Sequence, residues 1–315
     1  VATQCQIGNL WRTLTMSGMR HVDVCVCTYR RRSVVDTLRS IAAQQLPEDL
    51  RMRIVVADND DTPTAEDIVR DESAALGLDC RYVHAPARNI SVARNAALDA
   101  ATAPLVAFID DDEVATPSWI ATLLECHAAT GARIVFGPVQ AIYGDSPAWL
   151  RQADLHSIRP AFRHGGTIDT GYTCNVLLDR GAMTPEMRAI RFDPALGRSG
   201  GEDTFFFHHL YSLGAHCAFA ESALVQEGVP PHRGRLGWLL KRSFRSGQTH
   251  ARVLQTKPAW RPRLIATAAA KFGFCLAGAV LQAPSPARWR RMAVRAALHA
   301  GVVCRIAGLA DLKIY

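Results

Sequence analysis

The stretch Leu105-Val106-Ala107-Phe108-Ile109-Asp110-Asp111-Asp112-Glu113 constrains this chain more than any other. Five consecutive apolar residues fit a strand buried on both faces, as in a parallel sheet covered by helices. The strand runs straight into four acids. In open α/β sheets ligands lie outside the carboxyl ends of the strands. Adjacent carboxylates repel one another and call for a cation. Mn²⁺ or Mg²⁺ suits, because hard cations take carboxylate oxygens and share them with phosphate groups. If strand geometry persists, Asp110 and Asp112 point one way and Asp111 the other. A solvated acidic turn before a helix starting near Thr116-Pro117-Ser118-Trp119 is the plainer alternative.

Strands of the same kind precede it. His21–Tyr29, Arg53–Asp61 and Cys80–Val83 are apolar runs that alternate with helical patterns at Val34–Ala42, Thr64–Leu76 and 88–101. Such alternation predicts a parallel α/β sheet. Further on, the pattern predicts a helix at Ile120–Ala128, a strand at Ala132–Tyr143 and an irregular excursion over 145–170. A strand at Gly171–Leu178, a helix from Gly200-Gly201-Glu202-Asp203 to Leu213 and a last strand at Ala218–Gln226 follow. Three strands thus end in polar or acidic residues on one edge: Thr28-Tyr29, Asp58–Asp61 and Asp110–Glu113. No G-x-G-x-x-G follows the first strand and no G-x-x-x-x-G-K-[ST] occurs, which weakens dinucleotide and P-loop readings. Phosphate charge then falls to a metal at Asp112 and to Arg88 or Arg94.

Charge is distributed unevenly. The net charge of +7 combines about +15 from Val229 onward, where Asp311 is the one acid, with about −8 before it. A basic region suits nucleic acid or an anionic membrane. Its apolar content favours the membrane and argues against nucleic acid. Leu264–Gln282 is apolar apart from Thr267, Lys271 and Gln282, and Met292–Leu309 is interrupted by Arg295, His299 and Arg305. Length permits a span, but a central lysine is costly in hydrocarbon. Helices lying in the interface fit better, with ordinary packing on the rest of the chain as the alternative. Residues 1–20 show no signal-peptide pattern and read as an N-terminal extension. Nine cysteines without zinc-like spacing fit reduced thiols in the cytoplasm.

The ordered motifs Val24-Cys25-Val26-Cys27-Thr28-Tyr29-Arg30-Arg31, Val55-Val56-Ala57-Asp58-Asn59, Arg88-Asn89-Ile90-Ser91-Val92-Ala93-Arg94-Asn95, Phe108-Ile109-Asp110-Asp111-Asp112-Glu113 and Gly201-Glu202-Asp203 resemble those of family-2 glycosyltransferases with the GT-A fold. Residues 171–250 most resemble bacterial exopolysaccharide enzymes of the succinoglycan glucosyltransferase type. The resemblance implies an α/β fold, a Rossmann-like mixed sheet with helices on both faces, spanning residues 21–250. A basic, membrane-associating helical tail would occupy 251–315. It implies a UDP-sugar donor, glucose first, held by Thr28, Tyr29, Arg31, Asp58, Arg88, Arg94, Asp110 and Asp111. In this scheme Asp58 accepts from the uracil N–H. Asp112 would hold Mn²⁺ or Mg²⁺ on the diphosphate, with His232 as a further metal contact. Thr173, Asn175 and His208 would line the acceptor side. The absence of a Gln-x-x-Arg-Trp signature implies addition of a single sugar.

The resemblance also assigns Asp203 as general base, with Glu202 beside it. Transfer with inversion needs a carboxylate to take the acceptor hydroxyl proton as that oxygen attacks the anomeric carbon. Gly200-Gly201 would let the acceptor approach the backbone. A capped helix start is the plainer reading of these acids. The expectation is an inverting, metal-dependent glycosyltransferase on the cytoplasmic face of a bacterial inner membrane. Its acceptor would be a lipid-linked saccharide of exopolysaccharide or cell-surface glycan synthesis. A nucleotidyltransferase of similar sheet is one rival; it would carry a Gly-rich loop after the first strand, where Arg30-Arg31-Arg32 stands. A non-catalytic nucleotide-sugar-binding membrane scaffold is the other, and retention of both Asp112 and Asp203 argues against it.

Overall fold

The computed structural model describes residues 18–256 and 260–312. Most of the N-terminal extension therefore lies outside the described residues. The chain divides into two compact units. The first comprises the residues up to Gln140, Ile158–Gly197 and Glu202–Glu227. The second comprises Ala141–Ser157, Arg198–Gly201 and Gly228 onward.

Strand and helix alternate at first: β1 (Arg20–Thr28), α1 (Val34–Ala42), β2 (Leu50–Asp58), α2 (Glu66–Ala75), β3 (Cys80–His84), α3 (Ile90–Ala100) and β4 (Leu105–Asp110). Then come β5 (Glu113–Ala115), α4 (Trp119–Thr130), β6 (Ile134–Phe136), β7 (Val139–Ile142), α5 (Ala148–Ala153), β8 (Asn175–Asp179), α6 (Pro185–Ala189), α7 (Glu202–Ser212), β9 (Cys217–Phe219) and β10 (Val225–Gly228). Seven strands form one sheet in the order β3-β2-β1-β4-β8-β6-β9. The first four are parallel; β8 runs against both β4 and β6. The sheet is therefore mixed. A small sheet, β5-β10-β7, adjoins the acidic end of β4.

Alternation along the strands fills two cores. Val24, Val26, Ile54, Val56, Ala107 and Ile109 face one. Cys25, Val55, Ala57, Val106 and Phe108 face the other. This is why β4 reads as an unbroken apolar run: every residue from Leu105 to Ile109 is buried, and each large one contributes about 1.5–3 kcal/mol of transfer free energy. On the second face α3 presents Ala93, Ala97 and Ala100, small enough for the helix to lie close on β1 and β2. Buried Asp23 in β1 is neutralised by a bidentate pair with Arg53, at 3.0 and 2.7 Å.

Three expected strands are shorter or divided. The Ala132–Tyr143 run breaks at Gly137-Pro138 into β6 and β7, because proline has no N–H to continue a ladder. The Ala218–Gln226 run breaks into β9 and β10, which belong to different sheets. The Gly171–Leu178 strand begins only at Asn175. The excursion over 145–170 contains α5 and a single 3-10 turn at 164–166.

The second unit is built on α8 (Leu236–Gln255), α9 (Arg261–Leu281) and α10 (Pro286–Ile306). Helix α10 packs along both of the others. Two glycines set its approach to α8. A Cβ on Gly247 would collide with the Leu298 carbonyl, and one on Gly301 with the Phe244 carbonyl. In the same unit His156 stacks on Trp238 at 5.5 Å, and the Arg242 guanidinium lies over that indole at 5.3 Å.

Candidate active site

The loop after β1 is held by charge. Thr28 ends the strand, buried, and its hydroxyl donates to Asp111 Oδ2 at 2.8 Å. Arg31 Nη1 stands 2.8 Å from Asp111 Oδ1 and 2.7 Å from Asp112 Oδ2. Strand geometry ends at Asp110, so Asp111 and Asp112 do not point to opposite sides; they converge on one guanidinium. Thr28 is thereby committed to the acidic turn. Arg30, at φ 55°, bonds Asp60 at 2.8 Å and lies over the Tyr29 ring at 5.3 Å. Tyr29 itself is exposed.

Asp58 serves the fold of its own turn. It is fully buried and accepts from the Asp60 N–H at 3.0 Å, the Ala65 N–H at 2.9 Å and the Tyr82 hydroxyl at 2.7 Å. Three donors thus meet its two enclosed oxygens. Asp58 fixes the turn that carries Asn59–Asp61, and Arg88 pairs with Asp61 at its rim. Asn175 likewise lines no open acceptor surface. It is fully buried, accepts from the Trp119 indole at 2.8 Å, and donates to the carbonyls of Pro138 and Ala223 at 2.9 and 2.7 Å. Thr173 is buried and its hydroxyl lacks a partner among the described residues. His208 faces the Asp169 carbonyl at 3.2 Å.

At the end of β4 the acids crowd. Asp110 N–H donates to Glu113 Oε2 at 2.9 Å, and Glu227 of β10 lies opposite Glu113 in the small sheet. Loss of water pushes the Glu113 carboxyl well above its ordinary range, with Asp110 adding to the rise. Asp110 is pushed up to about 7 by loss of water, against the pull of Arg94 and with Asp112, Asp111 and Glu227 adding to the rise. Glu227 escaped the sequence reading. It stands in a short, largely polar strand, and its pairing with Glu113 is a tertiary fact.

Arg94 joins this cluster to the second carboxylate pair. It is buried on α3, with Nη1 2.5 Å from Glu202 Oε1 and Nη2 3.9 Å from Asp110 Oδ1. Loss of water would lower its pKa, but Glu202, Asp110 and Asp203 outweigh that and raise it, so it stays charged. Glu202 Oε2 is buried without a partner among the described residues. Asp203 accepts from the Thr204 N–H at 2.7 Å. Burial and then Glu202 push it up to about 6, while Arg94 pulls it down.

The Arg88–Asn95 motif explains how Arg94 is presented. Asn89 caps α3 by accepting from Ser91 N–H, and donates to the Pro194 carbonyl at 2.8 Å. Asn95 makes a two-way pair with the Phe192 backbone at 2.8 and 2.9 Å. These bonds strap residues 192–197 to α3, and a Cβ on Gly197 would collide with the Asn89 side chain. Phe192 then stacks on Phe206 of α7 at 4.0 Å, which fixes the helix bearing Glu202 and Asp203.

In the second unit, Gly200 and Gly201 have φ of 82° and 96°. A Cβ there would lie 2.6 Å from Arg245 Nη1 and 2.5 Å from Thr249 Cγ2. The side chains of α8 therefore take up the room that the glycines vacate, room the sequence reading had given to an acceptor. His232 is exposed in the turn before α8. No three His, Cys, Asp or Glu side chains form a ready metal cage among the described residues. Asp110 and Asp112 offer hard oxygen donors amid an excess of negative charge, which suits a divalent ion that takes its remaining ligands from phosphate and water. Cys27, half-buried and pushed up to about 12 by loss of water, offers no thiolate nucleophile.

Residues 23–185 match the model of the family described as Glycosyl transferase family 2. The chain is 48% identical over 301 residues to the succinoglycan biosynthesis protein ExoM of Rhizobium meliloti, covering 94% of this chain and 96% of that one. Among solved structures it is similar to the mannosyltransferase PcManGT from Pyrobaculum calidifontis in complex with GDP-Man and Mn²⁺. The TM-score is 0.61 at 20% identity, over 90% of this chain and 86% of that one. S. aureus TarS in complex with UDP gives a TM-score of 0.53 at 15% identity, over 87% and 90%. At these identities the likeness establishes a shared fold, the mixed sheet of GT-A transferases.

Proposed function

The chain belongs to glycosyl transferase family 2 and transfers sugar; from that premise we propose that it is an inverting, divalent-metal-dependent transferase. The donor is UDP-glucose and the acceptor a lipid-linked saccharide in exopolysaccharide assembly, at the cytoplasmic face of the membrane. The succinoglycan relative supports the pathway class, and the UDP complex of TarS supports the nucleotide.

Two acidic groups divide the chemistry. Asp203 takes the proton of the acceptor hydroxyl as its oxygen attacks the anomeric carbon. The new C–O bond forms on the face opposite the departing diphosphate, which inverts the configuration. Glu202, paired with Arg94, holds the first turn of α7 in place. Asp112, with Asp110 beside it, would hold the metal; the bound ion would supply charge stabilisation to the leaving diphosphate, as Mn²⁺ can in a GT-A fold. Arg31 positions Asp112. Tyr29 offers an exposed ring to the base, and Arg88 a cation to the phosphates. His232 is the remaining candidate metal contact, and Thr173 the remaining acceptor-side hydroxyl.

The observation that carries this reading is Arg94 standing between Glu202 and Asp110, which puts both acidic groups around one cation. The test is Asp203→Asn. Transfer should fall by at least about a hundredfold, the scale of a lost general base, while UDP binding measured by calorimetry with Mn²⁺ is kept. Transfer close to wild type in that variant rejects the assignment.

A further inference from the structure

Helix α9 is, among the described residues, the one helix long and apolar enough to cross a bilayer, with a mean hydropathy of 1.9. Only 11% of its most apolar 18-residue stretch is buried within the protein. Its covered positions lie on one face. Ala268 and Cys275 are buried, and Leu264, Ile265, Phe272, Gly278 and Ala279 are half-buried. At 3.6 residues per turn these seven fall within an arc of about 140°. Helix α10 covers that side; its Met292 reaches Gly278, and its Val302 shares a cluster with Ala268.

The opposite side is bare. Phe274, Leu276, Val280 and Leu281 are 73, 45, 75 and 82% exposed. With the alanines and glycine between them they occupy an arc of about 160°. From Ala266 to Leu281 that arc holds no charge, and Arg263 closes it at the N-terminal end. Lys271 lies about 140° from the middle of the arc, on the flank next to α10. There it lies near His299; burial, and then the cations Lys271 and Arg295, keep that imidazole low. Trp260, 73% exposed, precedes the helix beside Arg261 and Arg263.

Crossing a bilayer would require α9 to take α10 with it, because α10 packs along its length and also along α8. That partner carries Arg288, Arg290, Arg291, Arg295 and Arg305, and each arginine costs far more at the bilayer centre than a leucine returns. We infer that α9 lies in the plane of an anionic leaflet, with its Phe274–Val280 face in the acyl boundary, and does not span. The charge of about +15 from Val229 onward complements such a surface, and an exposed tryptophan flanked by arginines suits the headgroup level. The inference rests on the membrane-bound acceptor proposed above.

The test uses the full chain and vesicles of phosphatidylcholine, alone or with phosphatidylglycerol as roughly a third of the lipid, a proportion within the anionic range that attracts basic segments. The protein should float with the mixed vesicles only and be released by alkaline carbonate. Phe274→Glu with Val280→Glu should weaken vesicle binding by about a hundredfold, from two lost apolar anchors, with UDP-glucose hydrolysis in solution unchanged. Retention after carbonate overturns the in-plane geometry and assigns a span. Unchanged vesicle binding in the double variant overturns the contact face. A wild-type dimer in solution that the double variant dissociates assigns the face to a second copy instead. Transfer to a detergent-solubilised lipid acceptor without any vesicle binding sinks this inference and leaves the proposed function standing.

Discussion

Arg94 Nη1 stands 2.5 Å from Glu202 Oε1, and both side chains are more than nine-tenths buried. Removing one member of such a pair leaves the other charged and unpartnered. Arg94→Ala should therefore lower stability by about 3–5 kcal/mol and abolish transfer. Arg94→Lys keeps the charge but loses the fork, so it should fold and lose at least about tenfold in rate. Chemical denaturation beside a transfer assay measures both.

The pH profile follows from Asp203. Its carboxyl is pushed up to about 6 by burial and by Glu202, and a general base works only when ionised. The turnover rate should rise with pH through about 6. Glu202→Gln removes the neighbouring negative charge, so the Asp203 pKa falls and the acid limb moves to lower pH. A limb that stays in place would show that another group controls it.

Chelation should stop the reaction. Dialysis against EDTA is expected to abolish transfer, with recovery on adding Mn²⁺ or Mg²⁺. Asp112→Asn should raise the metal concentration for half-activity by at least about tenfold, the scale on which a carboxylate ligand or its support matters. Activity titrated against free metal reads this directly.

Asp58 offers a structural test. If it serves the turn after β2, Tyr82→Phe removes one charge-assisted hydrogen bond and costs about 1.5–3 kcal/mol, with the KM for donor little changed. Asp58→Ala also strands two backbone N–H groups and should cost more. A large rise in KM for Asp58→Asn with no loss of stability would return the residue to nucleotide recognition.

Legibility in the sequence followed the range of the interaction. β4 was visible because two-sided burial writes an unbroken apolar run. The first four strands and their helices were visible from alternating period. The acids at Asp110–Glu113 and Glu202-Asp203 stood out as charge at the ends of apolar segments. What they do to one another was not visible, because the link runs through Arg94, 108 residues from Glu202. The burial of Asn175 depends on an indole 56 residues away, and that of Asp58 on a hydroxyl 24 residues away. No local pattern records such partners. The division of β9 from β10 was likewise hidden, since the two halves join different sheets and no local pattern records that choice.

The contact of Gly247 with Leu298 and of Gly301 with Phe244 makes the α8–α10 crossing reciprocal: each helix supplies the missing side chain that the other's carbonyl needs. Such a crossing cannot drift by gradual steps. A methyl gained on either helix wedges the pair apart unless its partner retreats in the same event. Bulk should therefore change at both positions together or at neither, and the bearing of the α9–α10 hairpin on α8 is inherited as a single unit.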